Sequence, residues 1–178
     1  MRIAKHIAAL RADRRGVAAI EFAIFAGLIS IGMLNVTDIA VYVYQRMQVE
    51  YATQAAAQAA WHACDTNHLP ATTTGKCPGL TTAVQNAVQS TSLGTRVTLQ
   101  SGSPSEGYYC VNSSNVLQYA HDVSSKPTDC SAVGSPGLQP GDYIQIQTTF
   151  TYAPMFPGIT VTGAFTTPIT RTALMRLG

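Results

Sequence analysis

The sequence predicts an α+β protein: a long N-terminal helix, first transmembrane and then amphipathic, followed by a small periplasmic head with an antiparallel sheet. Three observations lead to this fold class. Residues 22–37 are 16 consecutive uncharged residues, residues 38–63 contain no Pro or Gly, and apolar and polar residues alternate near the C-terminus. The predicted organisation is a basic leader at 1–16, a helix at 17–63 and one head domain at 64–178.

The first element combines a basic segment with an apolar one. Residues 1–16 hold five basic residues and one acidic residue, whereas the rest of the chain holds six basic and eight acidic residues. Positive charge before an apolar segment is typical of a terminus kept in the cytoplasm. A span over 17–37 has 21 residues, which reach about 31 Å as a helix, enough for a bilayer core. We therefore expect one pass through a membrane, with the basic segment in the cytoplasm, the head on the far side and Glu21 in or at the edge of the membrane.

The helix is expected to continue beyond the membrane as an amphipathic segment. Its apolar residues recur at steps of three or four, as on one face of a helix: Val36, Ala40, Val43, Met47, Tyr51, Ala55 and Ala59. This stripe is expected to pack either against the head or against other copies of the same helix.

The head is expected to contain a short helix at 80–90 and several strands. Strands are predicted at 96–100, 108–111, 116–119, 142–152 and 168–176. The strand at 142–152 alternates cleanly and places Ile144, Ile146, Thr148, Phe150 and Tyr152 on one face. The stretch "APMFPG" before the last strand predicts a turn that is not helical.

All four cysteines follow the apolar run, at Cys64, Cys77, Cys110 and Cys130. In an oxidising periplasm they are expected to form two disulfides, and three pairings are possible. Pairing of sequence neighbours closes the shortest loops and is favoured on proximity alone. Zinc binding is disfavoured because no CxxC pair is present.

The composition argues against two functional classes. Charged residues are 11% of the chain, far below the roughly 25% of a typical soluble protein, and the head lacks a basic patch for nucleic acid. No nucleophile elbow or phosphate-binding loop occurs. We therefore expect a non-catalytic protein without cofactor or metal.

The stretch "RRGVAAIEF", residues 14–22, joins basic residues, a glycine, four small or apolar residues, a glutamate and an aromatic residue. It resembles the processing site of type IV pilin-like proteins and, among them, the TadE-like family of Flp/Tad pilus assembly. The C-terminus, with an alternating strand, the "APMFPG" turn and a strand ending in "TALMR", also looks TadE-like. Residues 64–140 carry no resemblance. Phe22 stands where many of these proteins have Tyr.

The resemblance implies a pseudopilin or minor pilin, located in the inner membrane or in an extracellular filament. Its implied partners are a prepilin peptidase, sister pseudopilins and the pilus assembly platform. The peptidase would cut between Gly16 and Val17, which makes Glu21 and Phe22 the fifth and sixth residues of the mature chain.

The cut would also explain an acidic residue in an apolar helix. It would free an α-amine on Val17 that is largely a cation at neutral pH, and Glu21 lies one helical turn further on. Glu21 is therefore expected to pair with that amine in its own or a neighbouring chain. The alternative is an uncleaved single-span protein with a periplasmic binding module, in which Glu21 sits at headgroup level. Asp38 is expected to meet water where the span ends, with a coupling role in a helix bundle as the alternative.

Overall fold

A computed structural model describes residues 15–64, 66–165 and 167–178 of the chain. The predicted fold class is confirmed: a long helix precedes a small antiparallel sheet. The helices are α1 (Arg15–Ala63) and α2 (Leu80–Val88). The strands are β1 (Thr98–Leu99), β2 (Ser105–Val111), β3 (Leu117–Asp122), β4 (Gly141–Phe150) and β5 (Ile169–Arg176).

The chain divides into two compact units. Of the described residues, the first unit contains 15–42 together with Ala153–Phe165, and the second contains those within 43–152 and 167–178. The first part of α1 therefore belongs with a segment from near the C-terminus. The second part of α1 belongs with the sheet and α2.

Strand β4 is the centre of the sheet. Strand β5 pairs with one edge of β4 along its length, while β1 and β2 pair with successive parts of the other edge. Strand β3 pairs with the outer edge of β2, and every pairing is antiparallel. Antiparallel pairing allows one face of the sheet to be buried and the other to meet solvent, which is the pattern that the alternation in β4 predicts.

The core of the second unit lies between β4 and α1. The predicted face of β4 is confirmed, because Ile144, Ile146, Thr148, Phe150 and, just beyond, Tyr152 are all buried. On α1 the buried residues are mostly small: Val49, Ala52, Thr53, Ala56, Ala57 and Ala60. Thr53 donates to the Val49 carbonyl at 2.7 Å and lies 2.6 Å from the Thr148 hydroxyl, which is left to donate to Thr53.

The larger residues of the stripe that the sequence predicted on the second half of α1 do not pack against the head. Val43, Met47 and Tyr51 are 47%, 49% and 54% exposed. The reason is steric: alanines allow a helix to lie close to a sheet, whereas these larger side chains would hold it away. Of the two packings left open by the sequence, the one against the head is therefore wrong for these three residues.

The disulfides follow the favoured pairing of sequence neighbours. Cys64 bonds to Cys77 and Cys110 bonds to Cys130. The first disulfide ties the end of α1 to the loop before α2, and the second ties β2 to the segment after β3. Both close loops of moderate length, which restricts the unfolded chain more than the folded one.

Several strands begin or end at residues other than those predicted. The strand predicted at 96–100 shrinks to Thr98–Leu99 because Gly94–Arg96 forms a 3-10 turn. Strand β2 begins three residues earlier than predicted, whereas β3 begins one residue later and ends three residues later. The predicted turn after β4 is irregular, as expected, and a short 3-10 turn at Val161–Ala164 follows it.

Candidate functional site

The four residues of the predicted processing and assembly site lie together at the start of α1. Gly16, Val17, Glu21 and Phe22 are all exposed, Phe22 to 75%. Val17 and Glu21 are one helical turn apart. No hydrogen bond or ion pair joins Glu21 to another residue in the described part of the chain. Residues 1–14 of the predicted leader lie outside the described residues.

The apolar section of α1 is exposed on all sides. An 18-residue window reaches a mean hydropathy of 2.2 with none of it buried. Most of its large apolar side chains are more than half exposed, among them Ile20, Ile24, Phe25, Leu28, Ile29 and Met33. A helix that is apolar all round needs an apolar environment. This section is long and apolar enough to cross a membrane.

The polar residues in this section satisfy their donors within the helix. The hydroxyls of Ser30 and Thr37 donate to the carbonyls four residues earlier, at 2.7 and 2.9 Å. The Asn35 amide does the same, at 2.9 Å from the Ile31 carbonyl. Such back-bonding lowers the cost of placing a hydroxyl or an amide in hydrocarbon.

Asp38 is fully buried, so the expectation that it meets water is wrong. One carboxylate oxygen accepts a hydrogen bond from the Met155 amide at 3.0 Å. The other accepts from the hydroxyls of Thr160 and Thr162, the latter at 2.7 Å. These donors lie 117 to 124 residues further along the chain. Their distance in sequence explains why local patterns placed Asp38 in solvent.

The donors to Asp38 all belong to Ala153–Phe165, here called the cradle segment. It also contacts α1 one turn before and one turn after Asp38. The Val161 amide donates to the Asn35 side chain at 2.9 Å, and the rings of Phe165 and Tyr42 have centroids 4.7 Å apart. Because Asn35, Asp38 and Tyr42 are spaced by three and four residues, they share one face of the helix. The cradle segment is thus fastened along three successive turns of α1.

A tight turn shapes the middle of the cradle segment. The Ile159 amide donates to the Phe156 carbonyl at 3.2 Å, and Gly158 has a φ of +79°. Pro157 and Gly158 occupy the two central positions of this turn, which suits the fixed φ of proline and the positive φ open to glycine. The turn returns the chain to α1 so that Thr160 and Thr162 can reach Asp38.

The part of α1 in the second unit carries an exposed apolar face. We call Val43, Tyr44, Met47 and Tyr51 the outer helix face; each is about half exposed. A groove of about 560 Å³ lies beside it, lined by Val43, Arg46, Met47, Glu50 and Arg171. Glu50 and Arg171 form an ion pair at 3.0 Å. The groove therefore combines apolar surface with charges of both signs.

The head contains a second buried carboxyl group, with different surroundings. Asp142 is 5% exposed, and its Oδ1 atom has no hydrogen-bond partner among the described residues. Burial raises the pKa of Asp142 to about 7, helped by the charge of Glu106 and a hydrogen bond with it and opposed by Lys126. Glu106 itself accepts hydrogen bonds from the Ala71 and Thr72 amides and from the Thr72 hydroxyl, at 2.7 to 2.8 Å.

In the described ranges 15–64, 66–165 and 167–178, no group of three or more His, Cys, Asp or Glu side chains could hold a metal ion. Comparisons with protein-family models, with curated proteins and with solved structures gave no match. The site must therefore be interpreted from its own geometry.

Proposed function

We propose that this protein is a non-catalytic, pilin-like subunit of Flp/Tad pilus biogenesis, a TadE-like pseudopilin or minor pilin. It is anchored in the inner membrane by α1, with its head in the periplasm, before it joins or primes an assembly. The proposal keeps the residue roles implied by the sequence: Gly16 and Val17 form the processing site, and Glu21 and Phe22 contribute to assembly.

The observation that carries the proposal is the environment of Glu21. This carboxylate is exposed on an apolar helix, one turn from Val17, and no described residue pairs with it. A charge in lipid is costly unless a partner compensates it. An α-amine on Val17, released by a prepilin peptidase, supplies a cation at that position in the same chain or in a neighbouring one.

The outer helix face supports the proposal independently. The sequence predicted that an apolar stripe on α1 packs either against the head or against other copies of the helix. The head does not cover Val43, Met47 or Tyr51. Packing against sister pseudopilins or further copies of this chain would remove these side chains from water. Because each side chain is only about half exposed, burial of the rest contributes about 0.7 to 1.5 kcal/mol, half of the value for a fully exposed side chain.

The experiment is to determine the N-terminus of the protein by mass spectrometry of the intact chain. The protein is isolated from membranes of cells with an active prepilin peptidase and from cells with an inactivated one. We expect the chain to begin at Val17 in the first case and at Met1 in the second. A Gly16→Val variant is the matched control and is expected to keep its leader in both.

A chain that begins at Met1 despite an active peptidase would contradict the proposal. The protein would then be an uncleaved single-span protein whose periplasmic head binds another component of the envelope.

A further inference from the structure

The cradle segment exposes three large apolar side chains beside the part of α1 to which it is bonded. Met155, Ile159 and Val161 are 56%, 57% and 57% exposed. The segment, "APMFPGITVTGAF", contains no charged residue. Its hydrogen bonds reach α1 at Asn35 and Asp38, where the uncharged run at 22–37 ends.

We propose that the cradle segment is a lipid-binding surface. It inserts Met155, Ile159 and Val161 into the lipid–water interface on the side of the membrane where α1 emerges. This inference rests on the proposed function in one respect, because it requires α1 to span the membrane. It adds a second contact with lipid, made by a part of the chain far from α1 in sequence.

Continuity with the spanning section identifies lipid as the occupant. The apolar side chains of the cradle segment are attached beside the last turns of that section, within the same compact unit. Amphipathic segments that lie in the interface bury their apolar side chains about 5 to 10 Å deep, at the boundary of headgroups and acyl chains. The segment is held by several hydrogen bonds to α1, so that little further ordering is needed when it inserts.

The inference also gives a role to the burial of Asp38. The span at 17–37 reaches the roughly 20 residues that a bilayer core needs only by including Glu21, because the uncharged run itself has 16 residues. With the oxygens of Asp38 and Asn35 paired to the cradle segment, neither presents an unpaired acceptor to the lipid interface. The pairing therefore allows the turn of α1 around Asp38 to contact lipid beyond the end of the uncharged run.

A second copy of the chain is a weaker candidate for this surface. The groove beside the outer helix face contains Arg46, Glu50 and Arg171, and such mixed polar and apolar surfaces are typical of protein interfaces. The cradle segment has no charge that would orient a protein partner. Lipid requires none.

The test measures how deeply position 159 lies in a bilayer. The full-length protein is reconstituted into vesicles of phosphatidylethanolamine and phosphatidylglycerol, with Ile159→Trp introduced in a Trp61→Phe background. Phospholipids brominated in the upper or the lower part of the acyl chains serve as quenchers. We expect a blue-shifted emission that loses roughly half of its intensity to the shallow bromines and less to the deep ones, as for an interfacial residue.

Two matched variants in the same background separate the possible results. Leu28→Trp places the probe one residue from the middle of the span at 17–37, where the side chain is 63% exposed, and is expected to be quenched most by the deep bromines. Leu138→Trp places it in the head, at a side chain that is 50% exposed, and is expected to escape quenching.

Each other outcome overturns the inference in a recognisable way. Quenching at position 28 without quenching at 159 would refute the lipid-binding surface and leave the membrane anchor intact. Absence of quenching at both positions would refute the anchor, and with it the proposed function. A blue shift of the emission at position 159 that increases with the protein-to-lipid ratio, without quenching by bromine, would show that a second copy of the chain covers the surface.

Discussion

Two carboxylates on one helix have opposite environments. Asp38 is fully buried and accepts hydrogen bonds from three donors, whereas Glu21 is exposed and pairs with no other described residue. Both are acidic residues in or beside an apolar section, where an unpaired charge is costly. Asp38 therefore fastens α1 to the cradle segment, whereas no described residue compensates the charge of Glu21.

Removal of the Asp38 carboxylate tests the internal fastening and is expected to have the largest effect on stability. Asp38→Ala leaves the Met155 amide and the hydroxyls of Thr160 and Thr162 without an acceptor. We expect a cost of about 2 to 5 kcal/mol, the range for breaking a buried polar cluster on one side. Hydrogen exchange of the protein in nanodiscs should show loss of protection at the Met155 and Val161 amides.

The matched control for this prediction is Asp38→Asn. The amide oxygen can still accept one or two of the hydrogen bonds in the same shape, so that a smaller loss of protection is expected. If Asp38→Ala exchanges as slowly as the unmodified protein throughout Ala153–Phe165, the carboxylate does not hold the cradle segment in place.

Asp142 sharpens the comparison, because it is buried like Asp38 but lacks a partner for Oδ1. Its pKa is raised from 3.8 to about 7, first by burial and then by Glu106. The folded protein therefore retains a proton that the unfolded chain releases above about pH 4. Protonated Asp142 contributes its full stabilisation of the folded state below about pH 4, and this contribution is lost as the pH rises through about 7.

The resulting pH dependence is measurable by chemical denaturation. Between about pH 5 and about pH 8 the free energy of unfolding should fall, and Asp142→Asn should flatten this slope because its side chain carries no titrating proton. Asp129 is the control: hydrogen bonds from the Ser131 hydroxyl and amide lower its pKa, so that Asp129→Asn should leave the slope in this window unchanged. An unchanged slope in Asp142→Asn would exclude Asp142 as its source.

Local patterns predicted much of this fold. The alternation in β4 identified the buried face that includes Ile144 and Ile146, because a strand places every second residue on one side. The absence of Pro and Gly from residues 38–63 identified the second half of α1, and proximity favoured the disulfide pairing that the structure has.

The features that sequence analysis missed depend on contacts between distant residues. The donors to Asp38 come from a segment more than 100 residues away, and no spacing rule connects them. The packing face of α1 was also missed. Hydrophobicity favoured Val43 and Met47, whereas close approach to the sheet selected the smaller residues Ala52, Ala56 and Ala60.

Glu21→Gln tests the other side of the comparison and is expected to have the smallest effect on folding. Because Glu21 pairs with no described residue, the free energy of unfolding should change by less than about 0.5 kcal/mol, as for a typical exposed position. Assembly should suffer much more, because the loss of one member of a buried ion pair costs about 3 to 5 kcal/mol.

The measurement of assembly uses a photo-crosslinking amino acid at position 47, on the outer helix face, in cells with an active prepilin peptidase. We expect crosslinks to a second copy or to a sister pseudopilin, and their loss in Glu21→Gln. A crosslinker at Ser125, an exposed polar position in the loop after β3, controls for random collisions. If Glu21→Gln crosslinks at position 47 as well as the unmodified protein does, the carboxylate has no role in assembly, and its position in α1 reflects only a tolerated charge at the edge of the membrane.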